Sequence, residues 1–354
     1  MGREASRALS EGLSRRKELA LFMAGCVFED GVRLDARFPG PATFYGSRFE
    51  GRASFGGGVP ALFLGPVSFS GARFEGPSSF REVHFSSDSL FRGTRFLGEA
   101  DFKRVYFGGV ADFTGAEFWG EAVFTRARFS DVGLMVGLRV GEGLKLCRVA
   151  VDREGGLLLD GLSMERVYLL GTDGRRLSIG SVEWEVRGGR VVLPEESMLG
   201  RALDHEEDWS VITREKVGLL FRTLRVNLER QLRFEEAGML FVGEMEMRRL
   251  SMGPVGRVIS PLALYKWMSN YGESASRPAL WSVLAVLLFG LARAASRGGV
   301  WALPSSMAES LLAFLQMGPE SPDLLAMAER SLSVLLLGQV FVALRRRLER
   351  RAPP

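Results

Sequence analysis

The stretch FRGTRFLGEADFKRVYFGGVADFTGAEFWGEAVF, residues 91–124, decides the fold. Phenylalanine recurs in it at 91, 96, 102, 107, 113, 118 and 124, at intervals alternating between five and six. Carried outward, the same beat takes in Phe69, Phe74, Phe80 and Phe85 upstream and Phe129 downstream. With 25 phenylalanines in 354 residues, chance produces twelve consecutive hits at a rate on the order of 10⁻¹⁴ per register. The residue two before each is small or β-branched, as at Ala72, Ser78, Val83, Ser89, Thr94, Ala100, Val105, Ala111, Ala116, Ala122 and Ala127. Upstream, Phe44, Phe49 and Phe55 keep time before a slip at Gly56, Gly57, Gly58 and Pro60. Further back the beat reaches Phe38, a mismatch at Arg33, then Val27 and Phe22. Downstream, Met135, Val140, Leu146, Val151, Leu157, Leu162 and Tyr168 continue it with aliphatic residues.

Three geometries compete for this pattern. In an α-helix, five steps of about 100° set successive phenylalanines about 140° apart, on different faces. The 16 glycines of residues 40–133 would each cost such a helix about 1 kcal/mol. In a flat strand, a five-residue interval sends the next ring to the opposite face. What remains is a chain that turns a corner at every repeat and aims each ring at a common axis, with glycine and polar residues at the corners.

FRGTRFLGEADF (91–102) and FTGAEFWGEAVF (113–124) resemble the phenylalanine-centred variant of the pentapeptide-repeat family. The resemblance implies a right-handed, four-sided parallel β-helix of about 22 residues per coil, with Phe69 to Phe129 as its core. Residues 20–193 are assigned to it, with 20–170 making roughly seven coils and 175–193 a closing hairpin or strand cap. Residues 1–19 are expected to form an N-terminal capping helix through Leu9, Leu13 and Leu19. This stretch has no apolar run of the kind a secretory signal carries, and the myristoylation pattern at Gly2 is read as coincidence.

From Pro194 the period becomes helical. Val211, Val217, Leu220, Phe221, Leu224, Leu228 and Leu232 form one stripe over 208–234, and a second helix follows at 234–250. Residues 194–275 thus read as a helical connector, either a hairpin packed on itself or a docking groove. FEEAGMLFVGEMEMRR (234–249) is similar to the linker of pentapeptide-repeat proteins that carry a C-terminal channel-like module. Tyr265, Trp267 and Tyr271 beside Lys266 and Arg277 suit a membrane interface.

Two charge-free runs, 279–292 and 331–344, lie in the last segment, 276–354. Each is shorter than the ~20 residues a span needs, but flanking arginines extend it by snorkelling. Loop 293–330 holds three basic and four acidic residues, while arginines crowd the outer flanks, from Arg248 to Arg277 and from Arg345 to Arg351. The expectation is a two-span module in the cell membrane with both termini cytoplasmic, surrounded by lipid. Between the runs, SSMAESLLAFLQMGPESP (305–322) reads as a short re-entrant helix capped by Ser305 or Ser306 and ended by Gly318-Pro319. This arrangement resembles two-transmembrane cation channels, whose filters run TVGYG or TLGFGD. The corresponding residues are Gln316, Met317, Gly318, Pro319 and Glu320, of which only Gly318 fits. Gly338 and Gln339, mid-span, are candidates for lining a pore; Gln339 is equally suited to pairing two helices.

Composition closes off other classes. Hydrophobic residues at 46% and charged residues at 25% exclude a disordered chain. Two cysteines and two histidines give neither a disulfide framework nor a metal-ligand set, so no metal or cofactor is expected. No phosphate- or dinucleotide-binding motif occurs, and the acidic turn around His205 reads as solvated, so no catalytic residue is assigned and the chain is read as a non-enzyme. Residues 20–151 carry 15 basic and 14 acidic residues, which leaves a β-helix mimic of DNA without its charge and makes nucleic acid an unexpected partner. The leading expectation is a homo-oligomeric, channel-like membrane protein, a tetramer if it follows the channel pattern, with the β-helix as a sensing or assembly domain. The alternative is a non-conducting, membrane-tethered scaffold for a protein partner.

Overall fold

The structure, a computed structural model, describes residues 20–56, 60–201, 211–297, 299–317 and 324–351. The capping segment 1–19 and the filter-loop residues Gly318, Pro319 and Glu320 lie outside the described residues. The chain forms two compact units that divide between Arg233 and Phe234, inside the segment expected to be one connector.

The first unit is a parallel β-solenoid of about seven turns. Its four faces are parallel sheets of eight, six, seven and six strands, most of them only two residues long. A two-residue strand suffices because each corner frees the chain to turn and each ladder is continued by the next coil. Four columns of buried phenylalanine rings fill the interior. Phe28, Phe49, Phe74, Phe96 and Phe118 stack at centroid distances of 4.5–4.9 Å. Phe55, Phe80, Phe102 and Phe124 stack at 4.6–4.7 Å. The columns Phe44–Phe69–Phe91–Phe113 and Phe38–Phe63–Phe85–Phe107–Phe129 complete the set. Rings in adjacent columns meet edge to face, as Phe91 and Phe102 do at 5.5 Å and 87°, the favoured geometry for aromatic quadrupoles.

The phenylalanine beat slips at three places, each time by a whole number of residues. Ala42 pairs with Val67, a 25-residue coil, so the chain carries three extra residues between Ser54 and Leu62 and Phe63 is a core position. Leu21 pairs with Ala42 and Val32 with Ala53, 21 residues apart, so one residue is missing between Leu34 and Phe38. The inward residues of the first coil are therefore Phe28 and Leu34; Phe22 and Val27, counted inward from the sequence, are exposed. Gly133 pairs with Leu157, 24 residues apart, which places a two-residue insertion after Val151. The column positions there are Leu159, Met164 and Leu169, and Leu157, Leu162 and Val167 are their small-side partners; Tyr168 lies on the outer side.

Corners explain the glycine content in two ways. Gly115 has φ +68° with open space where a Cβ would stand, so its cost to another residue is conformational alone. Gly98 has ordinary φ, but a Cβ there would lie 2.8 Å from the Gly76 carbonyl carbon of the coil beneath. Another corner column uses side-chain residues at positive φ, namely Glu82, Arg104, Arg126 and Arg148, and then Gly171. Gly115→Ala should cost about 1 kcal/mol from left-handed strain. Gly98→Ala should cost about 2 kcal/mol or more from overpacking, and Arg126→Gly should leave stability within about 1 kcal/mol of the parent. Urea melts of a fragment ending at Arg233 check the order; a Gly115→Ala loss larger than that of Gly98→Ala would refute it.

The C-terminal end of the solenoid is closed in layers. Val186–Arg187 and Arg190–Val191 form the expected antiparallel hairpin, while Leu177–Ile179 and Val182–Glu183 still add parallel strands. Helix α1 (Arg214–Arg230), capped by Thr213, follows. Its inward stripe is Val217, Leu220, Phe221, Leu224 and Leu228; Val211 precedes the helix and Leu232 follows it, both exposed. Asn227 donates to the carbonyls of Gly174 and Leu177, and Arg233 to those of Ile179 and Gly180. These bonds satisfy the last sheet edge, which would otherwise invite strand addition.

Under this closure Glu195 is buried, with its carboxylate accepting from the Leu169 amide at 2.6 Å. Burial pushes its pKa up to about 7. Burial, with Glu195 nearby, pushes the Cys147 thiol to about 12. The folded carboxyl keeps its proton up to about pH 7, whereas in an unfolded chain it releases it near 4.5. The first unit should therefore lose stability as pH rises from 5 to 8, on the order of 3 kcal/mol in the limit. Glu195→Gln should flatten that slope in thermal melts across this range; an unchanged slope would remove Glu195 as its source.

Candidate membrane module

The second unit runs through α2 (Phe234–Ser251), α3 (Pro254–Val258), α4 (Pro261–Ser269), α5 (Ser276–Ser296), α6 (Leu303–Phe314) and α7 (Leu324–Arg351). Proline opens α3 and α4, where a missing N–H costs nothing, and the Ser260 hydroxyl caps α4 by accepting from the Ala263 amide at 3.1 Å.

Helices α5 and α7 outgrow the 14-residue runs seen in the sequence. Ser276–Ser296 spans 21 residues and Leu324–Arg345 spans 22, long and apolar enough to cross a membrane. At 1.5 Å per residue, 21 residues reach about 31 Å, the thickness of a hydrocarbon core. Only 22% of each span is buried. Leu280, Val283, Leu288, Val334, Leu335 and Phe341 are all more than half exposed. A small apolar centre of Ala285, Phe314 and Leu336, flanked by Met268, Phe289 and Leu332, holds α5, α6 and α7 together.

At one end of the spans sits a buried ion pair. Arg293 of α5 and Glu329 of α7 meet at 2.7 Å, with side chains 5% and 0% exposed. The Ser310 hydroxyl of α6 donates to the Glu329 carboxylate and lies 2.9 Å from the Val286 carbonyl. One group from each of the three helices therefore converges on a single charge centre. Arg297 and Glu309 pair outside it at 2.6 Å, exposed.

At the other end, Glu246 of α2 gathers three donors. Arg249 and Lys266 lie 2.6 and 2.8 Å from its Oε1, and the buried Tyr271 hydroxyl donates to Oε2 at 3.0 Å. Burial alone would raise its pKa, but the bonds from Arg249, Lys266 and Tyr271 outweigh it and hold the carboxyl at about 2. The chain passes from α4 to α5 through Asn270, Tyr271 and Gly272, all at positive φ. Ser269, just before this turn, donates to the Gln339 side chain of α7 at 2.9 Å.

The candidate pore residues fall as follows. Gln339 bonds to Ser269 and Gly338 is exposed on α7. Gln316, at φ +62°, donates through its amide to the Arg330 carbonyl at 3.0 Å and the Ser333 hydroxyl at 2.7 Å. Met317 is exposed. Helix α6 ends at Phe314, not at Gly318: Gln316 takes the left-handed position, and the Met317 amide donates to the Leu312 carbonyl at 2.8 Å. Its start is Leu303, with Ala302 before it and no side-chain cap, so Ser305 and Ser306 stand inside the helix. Among the described residues no group of histidine, cysteine and acidic side chains is placed to hold a metal ion.

A curated but uncharacterized protein of Methanocaldococcus jannaschii is 30% identical over 143 residues, 37% of this chain. The chain spans 30% of that relative's length. Residues 61–105 and 91–134 match the family model for pentapeptide repeats in nine copies. The matched residues include the stacked phenylalanines from Phe63 to Phe129, and the match stops short of the helical unit.

Proposed function

We propose that the chain is a membrane-anchored assembly protein. Helices α5 and α7 cross the bilayer, and the pentapeptide-repeat solenoid is a rigid platform for a protein partner on the arginine-rich, cytoplasmic side. One observation carries the membrane assignment: two long helices leave most of their large apolar side chains exposed. A soluble core helix buries such residues. For the helical unit, the polar groups inside it favour anchoring over conduction. Arg293, Glu329, Ser310, Gln316 and Gln339 bond within one chain, so these polar side chains, all among the described residues, are engaged and not presented to a shared pore. No catalytic role is proposed.

Conduction is the second reading, favoured by the twelve-residue helix α6 between the two spans. In it, Glu320 forms a carboxylate ring in a homo-oligomer and selects cations by charge. Protein purified in detergent and reconstituted in liposomes tests both. Anchoring predicts resistance to alkaline extraction and no ion flux from correctly inserted protein. Cation flux that Glu320→Gln weakens, with little preference for potassium over sodium, would replace anchoring by a weakly selective channel. Recovery of the full chain from the soluble fraction without detergent would end both.

A further inference from the structure

From Gly253 to Trp267 the usual amphipathic order is inverted. The exposed residues of this stretch are Gly253, Pro254, Val255, Val258, Ile259, Pro261, Leu264 and Trp267, none of them charged. Val255 and Ile259 are 72% and 79% exposed. The two charged residues are half-buried and engaged: Arg257 donates to the Met252 carbonyl at 3.0 Å, and Lys266 is held by Glu246 at 2.8 Å. A contiguous exposed apolar patch of this kind marks an interaction surface. Water does not stabilise it, and the Glu246 centre prevents the helices from rolling to hide it.

We propose that α3 and α4 form an interfacial anchor that docks on the anionic phospholipid headgroups of the leaflet where α5 begins. The inference rests on the membrane reading above and adds the lipid class. Three observations choose lipid over a protein partner. The patch is continuous with the span, because the Trp281 indole of α5 donates to the Trp267 carbonyl at 3.3 Å, setting two tryptophans at the level where a span meets water. Exposed Arg248 and Arg277 flank the patch, Arg277 donating to the Lys266 carbonyl at 3.2 Å. Between Met247 and Arg277 the sequence holds five basic residues and one acidic residue, Glu273. Lysine and arginine in such a position add attraction to an anionic leaflet that salt weakens.

The test uses the full chain with Cys26→Ser, since buried Cys147 is unreactive, and an environment-sensitive nitrobenzoxadiazole dye on Ile259→Cys or, as a control on the solenoid, Lys103→Cys. Vesicles contain phosphatidylcholine alone or with a quarter phosphatidylglycerol, each with and without lipids brominated high on the acyl chain. The expected result is blue-shifted emission at position 259, quenched by brominated lipid and stronger with phosphatidylglycerol, with a water-like signal at position 103. Arg248→Glu with Arg277→Glu should abolish the gain from phosphatidylglycerol. Water-like emission at 259 from protein that resists alkaline extraction overturns the anchor and leaves the spans standing. Blue-shifted emission that brominated lipid does not quench assigns the patch to protein and overturns it as well. Release of the chain by alkaline extraction overturns the spans and the anchor together.

Discussion

Replacing Phe102 by alanine is expected to destabilise the solenoid by about 3–5 kcal/mol. The ring is fully buried and stacks at 4.7 Å on Phe80 and 4.6 Å on Phe124, with edge contacts to Phe91, Phe96 and Phe113. Its removal leaves a gap that cannot close. Collapse would need one coil to move toward the axis, and the ladder bond from the Phe102 amide to the Val123 carbonyl, at 2.8 Å, fixes that coil to the next. The cost is thus transfer plus cavity, with little relief from relaxation. Arg104, two residues on, faces outward and pairs with Glu82 at 3.0 Å, both partners more than a third exposed. Arg104→Ala should cost about 0.5 kcal/mol or less. Urea unfolding of a fragment ending at Arg233, followed by circular dichroism, compares the two; equal losses would break the assignment of inward and outward positions.

That assignment was legible because a solenoid converts sequence interval into direction with no help from distant contacts. Wherever the interval held, from Phe69 to Phe129, every phenylalanine on the beat is buried. The interval alone could not tell an insertion from an end. At Phe63 the signal was present in the sequence, a phenylalanine six before Phe69 with Ala61 two before it, but a count carried forward from Phe55 misses it because three residues are added between them. After Val151 the aliphatic residues occupy both inward positions of each repeat. Leu157 and Leu159 are equally plausible to a periodicity count, and only the pairing of Gly133 with Leu157 decides between them. Val211 and Leu232 failed for a different reason. Helical spacing continued past Thr213 and Arg230, where the cap and the left-handed Leu232 end the helix.

The helical unit was less legible. In the sequence, charges mark the edges of two apolar runs, so Arg293 reads as a boundary residue and Glu329 as one of the acidic residues of the loop between the runs. A hint was available: an antiparallel pair of spans brings the end of one run beside the start of the other, and these two ends carry opposite charges. Nothing in the sequence indicated Ser310, which joins them from α6, or the Ser269 partner of Gln339, because both depend on tertiary placement.

The second large effect is expected at that ion pair. Arg293→Met should destabilise the helical unit by about 3–5 kcal/mol, because it strands the Glu329 carboxylate, fully buried, with only the Ser310 hydroxyl for company. Arg293→Met with Glu329→Leu should recover most of that loss, since two apolar side chains of similar size replace the pair without leaving a charge unmatched. Detergent-solubilised protein titrated with sodium dodecyl sulfate and followed by far-ultraviolet circular dichroism gives both values. A double variant as unstable as the single one would mean that the pair contributes shape, not charge compensation. An Arg293→Met variant as stable as the parent carries the greater consequence. Arg293 and Glu329 would then not be closed upon each other within one chain, and their charges would be available to a neighbouring copy. That result would weigh against a self-contained anchor and in favour of an assembled, conducting module.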